Sequence, residues 1–260
     1  MRQAERCKMF VSNPFTLLAQ SIPPFVMQIY VVLMILAVAL GTLFDLYHKR
    51  SAEFFALRRK KSEAAAQRQL DGWEIASLAT RTIGKEVVTS GEFCKWQRRA
   101  SHLLIMYGFI LYLITTLLMV FVYPRAARTP TAVTALWSIG GLMVLAGGLW
   151  FFFALKVNVA YEKHSPFRLI PADLFVGSLL ASVAFGLLWH LVQTAHRPGA
   201  ASLVLLVCYI FFTTLLFVSV PWSKFAHMFY KPVAAFQKRL EEANGSSDLP
   251  APAKTSNIKG

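Results

Sequence analysis

Histidines are the residues of this 260-residue chain whose chemistry could reach beyond packing, and two of the six share a setting. His102 opens an apolar run in "KWQRRASHLLIMYGF", and His227 closes another in "PWSKFAHMFYKP". An ionisable side chain at membrane depth is a functional candidate because placing it there is costly. If the two runs cross a membrane in opposite directions, both imidazoles lie at one depth. A facing pair would then supply the axial ligands of one low-spin b-type haem. Solvation at the membrane edge is the alternative for each. His190, in "FGLLWHLVQ", has no partner at its depth on another run. It either packs with Trp189 at an aromatic belt or, with Trp189, lines a pocket and hydrogen-bonds a quinone carbonyl. His48, His164 and His196 stand beside charged residues or in short loops and read as solvated. Cys7, Cys94 and Cys208 are too few and too scattered for a disulfide framework, a structural zinc or an iron–sulfur cluster.

These histidines need long helices to carry them. The chain is 56% hydrophobic with a mean hydropathy of +0.49, too apolar for an ordinary soluble domain. Lipid offers no water to backbone groups, so unbroken apolar runs of about 20 residues read as spanning helices. Five are expected, at 26–46, 102–122, 132–155, 174–192 and 201–220. The fold class is therefore an all-α integral membrane protein, a five-helix bundle. The opening "MRQAERCKMFVSNPF" lacks the apolar core and cleavage site of a secretory signal, so the first span is expected to stay in the protein.

Of the 27 lysines and arginines, 21 fall on the side of the chain that holds the connection after span one, the turn after span three and the segment after span five. Cytoplasmic loops carry that excess, which sets the N-terminus outside and the C-terminus in the cytoplasm. The net charge of +14 thus reports topology. No recognition motif accompanies it, so nucleic acid is excluded as a partner.

Residues 1–25 form an N-terminal segment, and 47–101 form a basic cytoplasmic connection rich in helix formers. The connection suits an interfacial helix on anionic lipid or a docking surface for a soluble partner. Gly140, Gly141, Gly147 and Gly148, two turns apart, permit close helix approach or accommodate the edge of a flat cofactor. Asp45 and Asp173 lie at inner helix ends, as caps, solvated groups or proton relays. A helical extension follows over 221–245, and 246–260 has the composition of a disordered tail. The absence of an inverted repeat argues against a transporter.

With these residues in view, the chain resembles the cytochrome b (gamma) subunit of respiratory nitrate reductase and its relatives. More specifically, "RRASHLLIMYGFILYLITTLLMVFVYP", "SPFRLIPADLF" and "VPWSKFAHMFYKPVAAFQKRLEEANG" are similar to the membrane domain of the quinone-interacting oxidoreductase that accompanies adenylylsulfate reductase, over roughly residues 92–245. Lacking the iron–sulfur domain of that subunit, the chain is more similar to the stand-alone membrane anchor of adenylylsulfate reductase in sulfur oxidisers. The resemblance implies a multi-pass protein of the bacterial inner (cytoplasmic) membrane. Its partners would be the alpha and beta subunits of a soluble adenylylsulfate reductase, quinone and membrane lipid. In the nitrate reductase relatives the inner haem ligands fall on His102 and His227. The outer pair falls on Tyr112 and Tyr209, neither a usual haem b ligand, so one haem at most is expected, on the inner side. Arg98, Arg99 and Lys224 would raise its potential or merely mark the membrane edge. No acid, base or nucleophile for the sulfur chemistry is visible, so a non-catalytic subunit is expected, with a cofactor-free anchor as the alternative.

Overall fold

The computed structural model describes residues 13–19, 22–48, 50–90, 95–124, 129–155, 174–195, 199–220 and 227–247, and every regular element among them is helical. In chain order these are α1 (Pro14–Leu18), α2 (Pro24–His48), α3 (Ser51–Ala64), α4 (Gly72–Thr82), α5 (Trp96–Leu117), α6 (Thr131–Trp150), α7 (Leu174–Thr194), α8 (Ala200–Val218) and α9 (His227–Asn244). Three of them continue as π-helical turns, α4 through Ile83–Val88, α5 through Leu118–Val122 and α6 through Phe151–Leu155. Five helices, α2, α5, α6, α7 and α8, are long and apolar enough to cross a membrane. They leave large apolar side chains such as Phe25, Leu33, Leu40, Leu142, Leu203 and Phe211 exposed, which suits contact with lipid and not with water.

Two compact units form, one from residues up to Asp45 with Phe93–Ala226, the other from Leu46–Glu92 with His227 onward. In the first, backbones are brought together by missing side chains. A Cβ on Gly108 would lie 2.8 Å from the Gly140 carbonyl oxygen, and one on Gly140 would lie 2.8 Å from the Tyr112 nitrogen. Two turns along, a Cβ on Gly147 would lie 2.8 Å from the Ser101 carbonyl oxygen, and the Ser101 hydroxyl donates to the Gly147 carbonyl at 2.8 Å. Gly141 and Gly148, one position round, instead admit Leu187 and Leu180 of α7. The four glycines therefore serve two helix contacts, and protein atoms fill the space that a cofactor edge would need.

The other spanning helices are tied by partly buried polar pairs. Ser182 and Thr213 hydroxyls meet at 2.7 Å between α7 and α8. The Tyr30 hydroxyl of α2 lies 3.0 Å from Thr214 Oγ1, and Gln28 Nε2 donates to the Val120 carbonyl at 3.1 Å. Asp45, in the last turn of α2, is 2% exposed, so interfacial solvation does not account for it. Asp173 lies outside the described residues, as do Cys7, Cys94, His164, His196, Lys224 and the stretch 248–260.

The second unit joins residues far apart in the chain. Arg58 of α3 grips Glu241 of α9 through Nε and Nη2, both at 2.7 Å, and Gln237 donates to the same carboxylate at 3.0 Å. Asn244 Nδ2 donates to Ser62 Oγ at 3.0 Å, while its carbonyl accepts from Gln67 and Arg68 nitrogens at 2.9 and 3.3 Å. Gly245, at φ 77°, ends α9, and the Ser246 nitrogen returns to the Glu241 carbonyl at 3.0 Å, a Schellman closure. Asp71 and Glu74 form a reciprocal capping box at the start of α4.

Two outcomes follow from these contacts. Gly140→Ala should lower the thermal stability of the detergent-solubilised protein by roughly 1–3 kcal/mol, because the added methyl meets backbone that cannot swing away. Gly177→Ala, with nothing within 4 Å of its Cβ, should be neutral or slightly stabilising. In the second unit, the Arg58 hydrogen bonds hold the Glu241 carboxyl below its ordinary value of 4.5. A carboxyl with a depressed folded pKa contributes stability above the unfolded value, and that contribution disappears as pH falls through the folded one. Hydrogen-exchange protection of α3 and α9 should therefore weaken below about pH 4.5, and Glu241→Gln should flatten that dependence.

Candidate functional site

Five helices converge on one buried aromatic cluster. Tyr112 of α5 stacks on Trp137 of α6 with ring centroids 4.7 Å apart, and Trp137 meets His190 of α7 edge-on at 5.5 Å. Trp189 stacks on Tyr209 of α8 at 6.0 Å. Phe15 of α1 closes the group, edge-on to Trp137 at 6.5 Å and to Trp189 at 5.6 Å. Both tryptophans are 0% exposed and His190 is 2% exposed. Trp189 is thus a core residue, not a member of a lipid-facing belt.

Polar atoms in the cluster are mostly assigned. Trp137 Nε1 donates to Thr116 Oγ1 at 2.9 Å. In the amide orientation that satisfies both neighbours, Gln193 accepts from Trp189 Nε1 and donates to the Pro14 carbonyl, each at 3.0 Å. The Tyr112 hydroxyl is the exception: it is buried, makes no well-formed hydrogen bond, and has the Tyr209 side chain as a polar neighbour. It lies 2.6 Å from where a Cβ on Gly186 would be, and the Tyr209 ring lies 3.0 Å from the same point. The two tyrosines therefore converge on Gly186 of α7. Tyr112, Trp137, Trp189 and Tyr209 thus pack their rings together in one buried layer of the bundle.

The plug formed by Asn13–Leu18 was not anticipated from the hydropathy. Asn13 is 2% exposed; its Oδ1 accepts from the Phe15 nitrogen at 3.0 Å, capping α1, and its Nδ2 donates to the Tyr123 carbonyl at 3.0 Å and Thr129 Oγ1 at 3.1 Å. Asn followed by proline is a helix-start signature, so "SNPF" held the local signal. The tertiary contacts that make it a plug are not local.

His102 lies in the second turn of α5, since that helix begins at Trp96, earlier than the apolar run alone suggests. Its side chain is half-buried, one residue after Ser101, whose hydroxyl bonds α6, with Arg98 and Arg99 exposed one turn before. His227 opens α9, and its side chain lies outside the described residues. Among the described residues no three histidines, cysteines or carboxylates gather as a metal site.

The cluster's hydrogen bonds make a test. Gln193→Leu should strand Trp189 Nε1 and the Pro14 carbonyl and destabilise the bundle by roughly 1–3 kcal/mol. Tyr112→Phe, which deletes a buried hydroxyl that makes no well-formed hydrogen bond, should cost less than Gln193→Leu by thermal unfolding.

No curated protein and no solved structure matches the chain at significance. Residues 30–248, which take in most of the first spanning helix, the connection after it and the other four spanning helices, match the family model described as CitB, citrate utilization protein B. The chain belongs to the citrate utilization protein B family.

Proposed function

We propose that this chain is a membrane subunit that docks a soluble adenylylsulfate reductase on its cytoplasmic face and carries electrons between that enzyme and quinone, through one b-type haem held by His102 and His227. The observation that carries the reading is the convergence of Tyr112 and Tyr209 on Gly186. Those are the positions that match the outer ligands of the nitrate reductase subunits in the resemblance, and their approach to one glycine of α7 supports that reading. His102 then lies ten residues, or about 15 Å, along α5 from Tyr112, toward the side that holds the basic connection. The family description names citrate utilization, so the sulfur assignment rests on the quoted sequence segments and not on family membership.

A bis-imidazole haem supplies one-electron transfer at a potential set by its ligands and surroundings. The chain's own part is to position and tune. His102 presents its imidazole from a helix fixed in place by the glycine contacts with α6. Arg98 and Arg99 disfavour additional positive charge nearby, which favours the reduced state. The partner would perform the sulfur chemistry, interconverting adenylylsulfate with sulfite and AMP. A quinone would reach His190 and Trp189 only after the Asn13–Leu18 plug withdrew, because Phe15 packs on Trp189 and on Trp137, the ring that meets His190.

The second reading, a cofactor-free anchor, is favoured by one observation, the complete replacement of the outer site by packed aromatic rings. Reconstitution separates the two. Proteoliposomes holding this chain, the reductase and quinone should reduce the quinone when AMP and sulfite are added, and should not do so when the chain is omitted. Reductase that binds the proteoliposomes while quinone reduction stays at the level without the chain would leave only the anchor.

A further inference from the structure

We propose that α3 is a membrane-surface helix whose Phe54 and Leu57 enter the headgroup layer and whose Lys60 and Lys61 bind anionic lipid. Lys49 and Arg50 alone separate Ser51 from the end of α2, a helix long enough to span a bilayer. Two residues reach no further than roughly 10 Å, so the start of α3 is tethered at the membrane edge whatever else happens beyond it. Arg50, at φ 49°, takes the left-handed conformation that breaks the helix and redirects the chain. Tyr47, in the last turn of α2, is 87% exposed, an aromatic at interface depth.

The side chains of α3 divide into three faces at about 100° per residue. Phe55, Arg58 and Ser62 point one way, and Arg58 and Ser62 there hold Glu241 and Asn244 of α9. Arg59 and Glu63 pair with each other at 2.9 Å on a second face, which also carries the exposed Ala56. The third face carries Phe54 and Leu57, exposed 59% and 60%, flanked by the exposed Lys60 and Lys61. Large apolar side chains edged by lysine, on a helix tethered to a membrane span, match an anionic bilayer surface. The apolar pair inserts and the lysines extend to the phosphates. A soluble protein could also take such a face, but the tether favours lipid, which is always within reach.

The test uses the full-length chain with Cys7, Cys94 and Cys208 replaced by serine, carrying Leu57→Cys labelled with an environment-sensitive nitrobenzoxadiazole dye. It is reconstituted in nanodiscs of phosphatidylcholine alone or mixed with phosphatidylglycerol. Emission should be blue-shifted in the anionic discs and closer to its value in water in the neutral ones. Adding Lys60→Gln and Lys61→Gln should reduce the inserted population by roughly an order of magnitude or more. The same dye on Ala56→Cys should stay water-like in both discs, which shows the chain folded and the effect confined to one face. Water-like emission from position 57 in both discs, or a shift that appears only when a soluble protein partner is added, would overturn the proposal.

Discussion

Contact between the backbones of α5 and α6 is the constraint on which the bundle depends. Lipid tails are as apolar as the side chains they touch, so spanning helices gain little from hiding apolar surface from one another. What remains is close packing and hydrogen bonding. Gly108, Gly140 and Gly147 supply the first, and the Ser101 hydroxyl on the Gly147 carbonyl supplies the second. Once that contact is fixed, Tyr112 lies on Trp137, and Gly141 and Gly148 seat α7 on the neighbouring side of α6. Gly186 of α7 then receives Tyr112 and Tyr209, and the aromatic cluster closes.

That cluster and the histidines do different work. Phe15, Trp137, Trp189 and the two tyrosines make one end of the bundle a filled core, with the plug of Asn13–Leu18 tied over it through Asn13 and Gln193. At this depth the chain places aromatic packing. His102 sits toward the other end of α5, in its second turn. The helical unit made by α3, α4 and α9 is held by its own polar network, centred on Arg58 and Glu241.

Hydropathy made the five spanning helices legible, because lipid imposes one rule on every residue of a span. The glycines were legible as a close approach, but their division between α5 and α7 was not, since adjacent positions on one helix face different neighbours. Asn13 and Phe15 were missed because their partners, Tyr123, Trp137 and Trp189, are more than a hundred residues away in the chain. Arg58 read as one more basic residue in a charged run, and only the fold brings Glu241 to it. Asp45 read as a cap, a solvated group or a proton relay, and its burial removes the solvated alternative. Among the candidate site residues, His190 and Trp189 gained defined surroundings, and His102 gained a place on its helix.

The central claim is that His102 and His227 share one iron. The direct measurement is the ferric electron paramagnetic resonance spectrum of the purified chain, recorded together with its haem content. The account predicts one haem per chain and a low-spin bis-imidazole signal that disappears in His102→Ala and, separately, in His227→Ala. Two haems per chain, or a signal that survives either substitution, would contradict it.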